Sequence, residues 1–285
     1  MTVEKNILIY ASHYEHINRG CMEALLQKFP NTSLRLIVVQ CHDSHRACYL
    51  NQCLASADKD FRSNHPTACS ICVANQSVFE HYASQLRIPI STIQVPAASA
   101  SDVPPSELTR LIEHCLPIIG DSHLASRLND NICFLAVCRQ YCDSASTFVA
   151  LLRGVLGELA SIRKDTSYLE NYFELIVSKL LSLFPVYQYL KSCLDFESID
   201  HAFIFNGRFL LGKILSIFCE QYHIPWSCYE GSFDWGPVAT RYNFVEQGSL
   251  QNFMARATTL HGYAALHRSE DADASAVLSG CRSLK

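Results

Sequence analysis

Cys41, Cys48, Cys53, Cys69 and Cys72, five of the chain's 14 cysteines, fall within 32 residues. The last two stand as Cys69-Ser70-Ile71-Cys72, and two residues between cysteines let both sulfurs turn toward one ion. Cys41 and Cys48 would complete a tetrahedral thiolate site, and His42, His45 and His65 are alternative ligands in the same segment. The segment is long and polar with little to pack, so a metal clip closing it would contribute stability. Thiolate ligands suit zinc and an iron–sulfur cluster alike. Redox-active thiols and buried structural cysteines are the two other readings of these residues.

A second constellation is Phe205-Asn206-Gly207-Arg208, followed by Tyr229-Glu230-Gly231-Ser232. Gly207 relieves a tight strand-to-helix turn. A helix N-terminus beginning there attracts anions, and Arg208 adds a fork of donors for substrate. Glu230, at the end of the next strand, would face the same crevice as a general base. The competing reading is a capping Asn206, a turn glycine and an Arg208–Glu230 salt bridge that only staples two loops. In Ser12-His13-Tyr14-Glu15-His16, His13 or Glu15 is a second candidate base, against a solvated loop with Glu15 near a helix N-terminus. The sequence contains no Walker loop, G-x-G-x-x-G, G-x-S-x-G or H-E-x-x-H.

These residues need elements to hold them. Short apolar runs at 6–11, 34–39, 90–95, 202–206 and 224–229 read as buried parallel strands. Helical spacing of Ile17, Cys21, Met22 and Leu25 predicts a helix ending near Pro30, and a second spans Val78 to Leu86. Residues 97–105 form a loop, and the pattern then turns helical. Leu169, Tyr172, Phe173, Ile176, Val177, Leu180, Leu181 and Phe184 make one stripe that Pro185 ends or kinks. Cys133, Cys138, Cys193, Cys219 and Cys228 lie in apolar surroundings and read as buried small side chains. The expected fold is α/β: one Rossmann-like domain over 1–250 with a parallel sheet, a cysteine-rich segment at 41–72 and a mainly helical insertion at 106–198. Residues 251–285 read as a polar tail or the start of a linker.

The 285 residues are 49% hydrophobic and 18% charged, which excludes a wholly disordered or collagen-like chain. With 27 acids against 23 bases and no basic run, there is no electrostatic footprint for nucleic acid. The richest apolar stretches, 132–138 and 203–219, fall short of a membrane span, the second being interrupted by Asn206, Arg208 and Lys213. The N-terminus lacks the apolar region and cleavage site of a signal peptide, so a cytoplasmic chain is expected.

Asn206-Gly207-Arg208 at one strand end, Tyr229-Glu230-Gly231 at the next, and a cysteine segment ending in C-x-x-C resemble a group of bacterial capsule and O-antigen polysaccharide biosynthesis proteins. The resemblance runs from residue 6 to about residue 250. That group is similar to GT-B glycosyltransferases, whose two Rossmann-like domains face one cleft. It implies that this chain is the amino-terminal, acceptor-side half, with a sugar acceptor as partner and His13 or Glu230 as base. Asn206, Gly207 and Arg208 would bind substrate. The nucleotide-sugar donor would need a second, carboxyl-terminal domain or partner chain. The alternative from another class is a non-catalytic metal-binding or thiol-based interaction module.

Overall fold

The computed structural model describes residues 4–11, 15–41, 73–95, 106–163, 173–205, 210–231 and 242–246, of which 15–17, 41, 160–163, 210, 230–231 and 242–246 are described by backbone alone. Six strands form one sheet: β1 (Glu4–Tyr10), β2 (Ser33–Cys41), β3 (Ile90–Val95), β4 (His201–Phe205), β5 (Trp226–Gly231) and β6 (Tyr242–Glu246). Their spatial order is β3-β2-β1-β4-β5-β6. The first five are parallel, and β6 runs antiparallel to β5. This is an α/β fold with a Rossmann-like parallel sheet.

The strands read as unbroken apolar runs because both faces of the sheet are covered. In β1, Ile7 and Ile9 join one core and Leu8 the other. In β4, Phe203 and Phe205 join the first core, and Ala202 and Ile204 the second. The first core is roofed by α1 (Glu15–Lys28) through Cys21, Met22 and Leu25, and by α2 (Val78–Leu86) through Phe79 and Ala83. α2 stops where Arg87 enters the left-handed region at φ 56°, its N–H turning back to Ala83 O and Ser84 O. The second core is larger. Between β3 and β4 the chain forms α3 (Ser106–Cys115), α4 (Leu124–Asp130), α5 (Ile132–Tyr141), α6 (Ala145–Arg163) and α7 (Phe173–Cys193), and α8 (Leu210–Gln221) follows β4. Their apolar stripes pack together against the opposite face of the sheet.

Several expectations need correction. Pro185 does not end α7, which runs on to Cys193. Leu183, Phe184, Val186, Tyr187 and Leu190 are buried on either side of Pro185, which itself faces solvent. Packing of those flanks outweighs the lost backbone bond, a cost of about 3 kcal/mol. Cys133 and Cys193 are exposed rather than buried, whereas Cys138, Cys219 and Cys228 are buried. The apolar context of Cys133 misled because α5 is a marginal helix of the layer: of its residues only Cys138 is buried, and Ile132 is 82% exposed. Cys193 sits at the last residue of α7, beyond the buried stripe. The apolar stretch 203–219 spans the end of β4 and most of α8, so two elements share it. Among the described residues no helix is long and apolar enough to cross a membrane. The tail expected over 251–285 lies outside the described residues.

Candidate functional site

The strand order contains one reversal. From β1 the chain steps outward through β2 to β3, then returns across the sheet to lay β4 on the other side of β1. In an open α/β sheet the connections that leave two such strands diverge to opposite faces, and their carboxyl ends open a crevice. Here β1 feeds α1, on the face of the smaller core, and β4 feeds α8, on the face of the larger one. Both helices begin at the carboxyl edge, where their free N–H groups and dipoles favour negative charge. Residues 10 and 204 are direct register partners, so the ends of β1 and β4 are level.

Three buried side chains fix this edge. Tyr229 of β5 is fully buried, and its hydroxyl donates to Tyr10 O at 2.7 Å, passing under β4 to tie β5 to β1. It also shares a hydrogen bond with Cys21, whose thiol is buried in α1 and pushed far above its ordinary range by desolvation. Just before α2, Gln76 is 3% exposed and its Nε2 donates to Ala11 O at 3.5 Å. Beside it, Asn18 of α1 is fully buried and donates from Nδ2 to Asn75 O at 2.9 Å. Residues 73–77 are thereby docked against the end of β1 and the first turns of α1. Gln76 Oε1 is the buried side-chain atom left without a hydrogen-bond partner among the described residues. An unpaired buried acceptor costs about 1–3 kcal/mol, and only a donor, such as a hydroxyl or an amine, satisfies it.

His13 lies in the connection between β1 and α1, and Asn206, Gly207 and Arg208 in the connection between β4 and α8; all four are outside the described residues. The two connections leave the adjacent strands β1 and β4. Glu230 lies at the carboxyl end of β5, as expected. Its backbone pairs with Asn243 of β6, and Gly231 pairs with Tyr242. Cys41 is the last residue of β2, in register with Val95 of β3. Cys48, Cys69 and Cys72 lie outside the described residues, although Cys72 immediately precedes the docked segment at 73–77. Among the described residues no group of three or more His, Cys, Asp or Glu side chains could hold a metal.

Asn18 and Gln76 were not among the sequence-derived candidates, and Tyr229 was named only as a neighbour of Glu230, without its tie to Tyr10 O. Tyr229 could have been noticed as a polar tip inside an apolar strand. Gln76 and Asn18 carry no local signal, because each becomes buried only when residues 73–77 fold back on β1. Neither a protein-family model nor a curated protein matches the chain.

Proposed function

We propose that the chain is a cytoplasmic glycosyltransferase-like protein of surface-polysaccharide synthesis, working as the acceptor-side half of a GT-B enzyme at the crevice between β1 and β4. The observation that carries this reading is the strand order β3-β2-β1-β4-β5. It makes neighbours of the strands that lead into Ser12-His13-Tyr14 and Asn206-Gly207-Arg208. In this reading His13 or Glu230 takes the proton of an acceptor hydroxyl, while Arg208 and the N-terminus of α8 neutralise phosphate charge. The unpaired Gln76 Oε1 suits a hydroxyl-bearing substrate. The nucleotide-sugar donor is held mainly by a second domain or partner chain. The test is complementation: a source strain lacking the gene receives wild type, Arg208→Ala or His13→Ala at equal protein level. Loss of surface polysaccharide, restored by wild type and not by Arg208→Ala, is expected. Intact polysaccharide in the deletion strain, or full restoration by both variants, refutes the reading.

The same edge supports a bound metal as a structural part of the protein. Cys41 closes β2, next to β1, and Cys72 adjoins the segment docked on Ala11. Zinc or an iron–sulfur cluster held by Cys41, Cys48, Cys69 and Cys72 would clip the connection between β2 and α2. Elemental analysis of protein purified without chelator should find about one zinc, or iron with matching sulfide, and Cys69→Ser should remove it. Metal-free wild type that melts at the same temperature with and without added zinc or iron refutes it.

A further inference from the structure

We propose that the corner between the end of β1 and the start of α1 binds a phosphate group with a hydroxyl donor beside it, and that Gln76 Oε1 receives that donor. This phosphate site is separate from the contact assigned to Arg208 and α8, and it stands whether or not the protein transfers sugars.

Gln76 is held between the strand end and the helix start. Its Nε2 donates at 3.5 Å to the carbonyl of Ala11, the residue after β1. The neighbouring Asn75 O accepts at 2.9 Å from Asn18 Nδ2, near the start of α1. Gln76 is 3% exposed, and among the described residues its Oε1 has no hydrogen-bond partner. The side-chain donors described around it are directed elsewhere. Asn18 Nδ2 serves Asn75 O, Ser77 Oγ donates to Ala74 O at 2.6 Å, and the Tyr229 hydroxyl donates to Tyr10 O at 2.7 Å. Turning the amide over would not satisfy the corner, because Oε1 would then face Ala11 O and that carbonyl would lose its donor.

The helix beside it favours the opposite kind of partner. α1 is 14 residues long, and the first amides of a helix have no partner within it. Their N–H groups and the helix dipole attract negatively charged acceptor oxygens. One corner thus offers donors to an anion and an acceptor to a proton donor. A carboxylate or sulfate supplies no donor at neutral pH, and an ammonium supplies no acceptor and opposes the dipole. A neutral hydroxyl fills both hydrogen-bond roles but carries no charge. A phosphate meets all the requirements, and two sources carry the same chemistry. Inorganic phosphate has its own P–OH at neutral pH, and a sugar phosphate has ring hydroxyls near the phosphoryl group.

The test is calorimetric titration of the full chain at neutral pH with inorganic phosphate, glucose 1-phosphate, sulfate and glucose, together with amide exchange at residues 15–18. At least one of the two phosphates should bind about tenfold or more tightly than sulfate and than glucose, and should slow exchange at 15–18. Preference for inorganic phosphate identifies the free ion as the source, and preference for glucose 1-phosphate a sugar phosphate. Gln76→Met removes the acceptor and should bring the bound phosphate and sulfate to within about threefold of each other. Sulfate or glucose binding to wild type as tightly as either phosphate overturns the proposal. So does binding that leaves the amides of 15–18 unprotected, because the site then lies elsewhere, and so does the absence of binding by both phosphates. The comparison of ligands on wild type decides the matter even if Gln76→Met folds poorly. A protein that binds phosphate here while the deletion strain keeps its polysaccharide retains this site and loses the glycosyl-transfer reading; one that restores polysaccharide but binds neither phosphate does the reverse.

Discussion

Removing the ammonium of Lys179 should destabilise the protein far more than removing an ordinary ion pair. Lys179 of α7 and Glu158 of α6 form a salt bridge deep in the helical layer, and both side chains are 0% exposed. Desolvating each charge costs several kcal/mol, recovered only through the partner and further hydrogen bonds. Lys179→Met keeps the aliphatic stem and its packing but takes the paired ammonium away from the buried Glu158 carboxylate. The expected loss is about 3–5 kcal/mol, whereas an exposed pair contributes about 0–1 kcal/mol. With a urea m-value of about 2–3 kcal/mol per M, the unfolding midpoint should fall by roughly 1–2 M. The double variant Glu158→Met/Lys179→Met removes both charges at similar volume and should recover most of that loss, to within about 1–2 kcal/mol of wild type. Urea titration followed by circular dichroism gives all four corners of the cycle, with Glu158→Met as the fourth. A Lys179→Met loss under about 1 kcal/mol, or a double variant worse than either single one, would refute the argument. The first outcome would mean that the charges are hydrated, the second that their packing matters more than their charge.

Tyr229→Phe should lower stability by about 1–2 kcal/mol, because it strips Tyr10 O of a buried donor; a thermal melt matching wild type would count against that tie. Burial raises the pKa of Asp143, but hydrogen bonds from Lys191 and Tyr187 outweigh it and hold the carboxyl below its usual range. Its contribution is therefore complete above the unfolded-state value and fades as pH falls through the lower folded one, so Asp143→Asn should flatten the acid limb of the stability curve. An unchanged acid limb in that variant would show that other carboxylates dominate. Among the described cysteines, alkylation of native protein followed by peptide mass spectrometry should modify Cys133 and Cys193 first. Burial pushes Cys115, Cys138 and Cys219 up to about 12, so these should react only after unfolding. Prompt native labelling of any of the three would show that the helical layer opens.

What the sequence disclosed and what it withheld divide along the range of the interactions involved. β1 and β4 were legible because a strand buried on both faces must be apolar at consecutive positions, and Ile7-Leu8-Ile9 and Ala202-Phe203-Ile204 meet that condition. α2 was legible at both ends, since an amphipathic turn pattern and the break at Arg87 are local. β6 was not. It exists as a strand through its pairing with β5, which includes Glu230 and Gly231 in the ladder. The continuation of α7 past Pro185 was equally hidden, because the burial of Val186, Tyr187 and Leu190 that sustains it depends on neighbouring elements. The candidate site follows the same rule. Its candidates His13, Asn206 and Arg208 stand in sequence shortly after strand ends, where position alone marks them. The groups that shape its floor, Tyr229, Asn18 and Gln76, are recruited across 57 to 219 residues of chain. Candidate side chains in an open α/β sheet are thus proposed from the strands they follow, whereas the buried polar contacts at the sheet edge are properties of the folded chain.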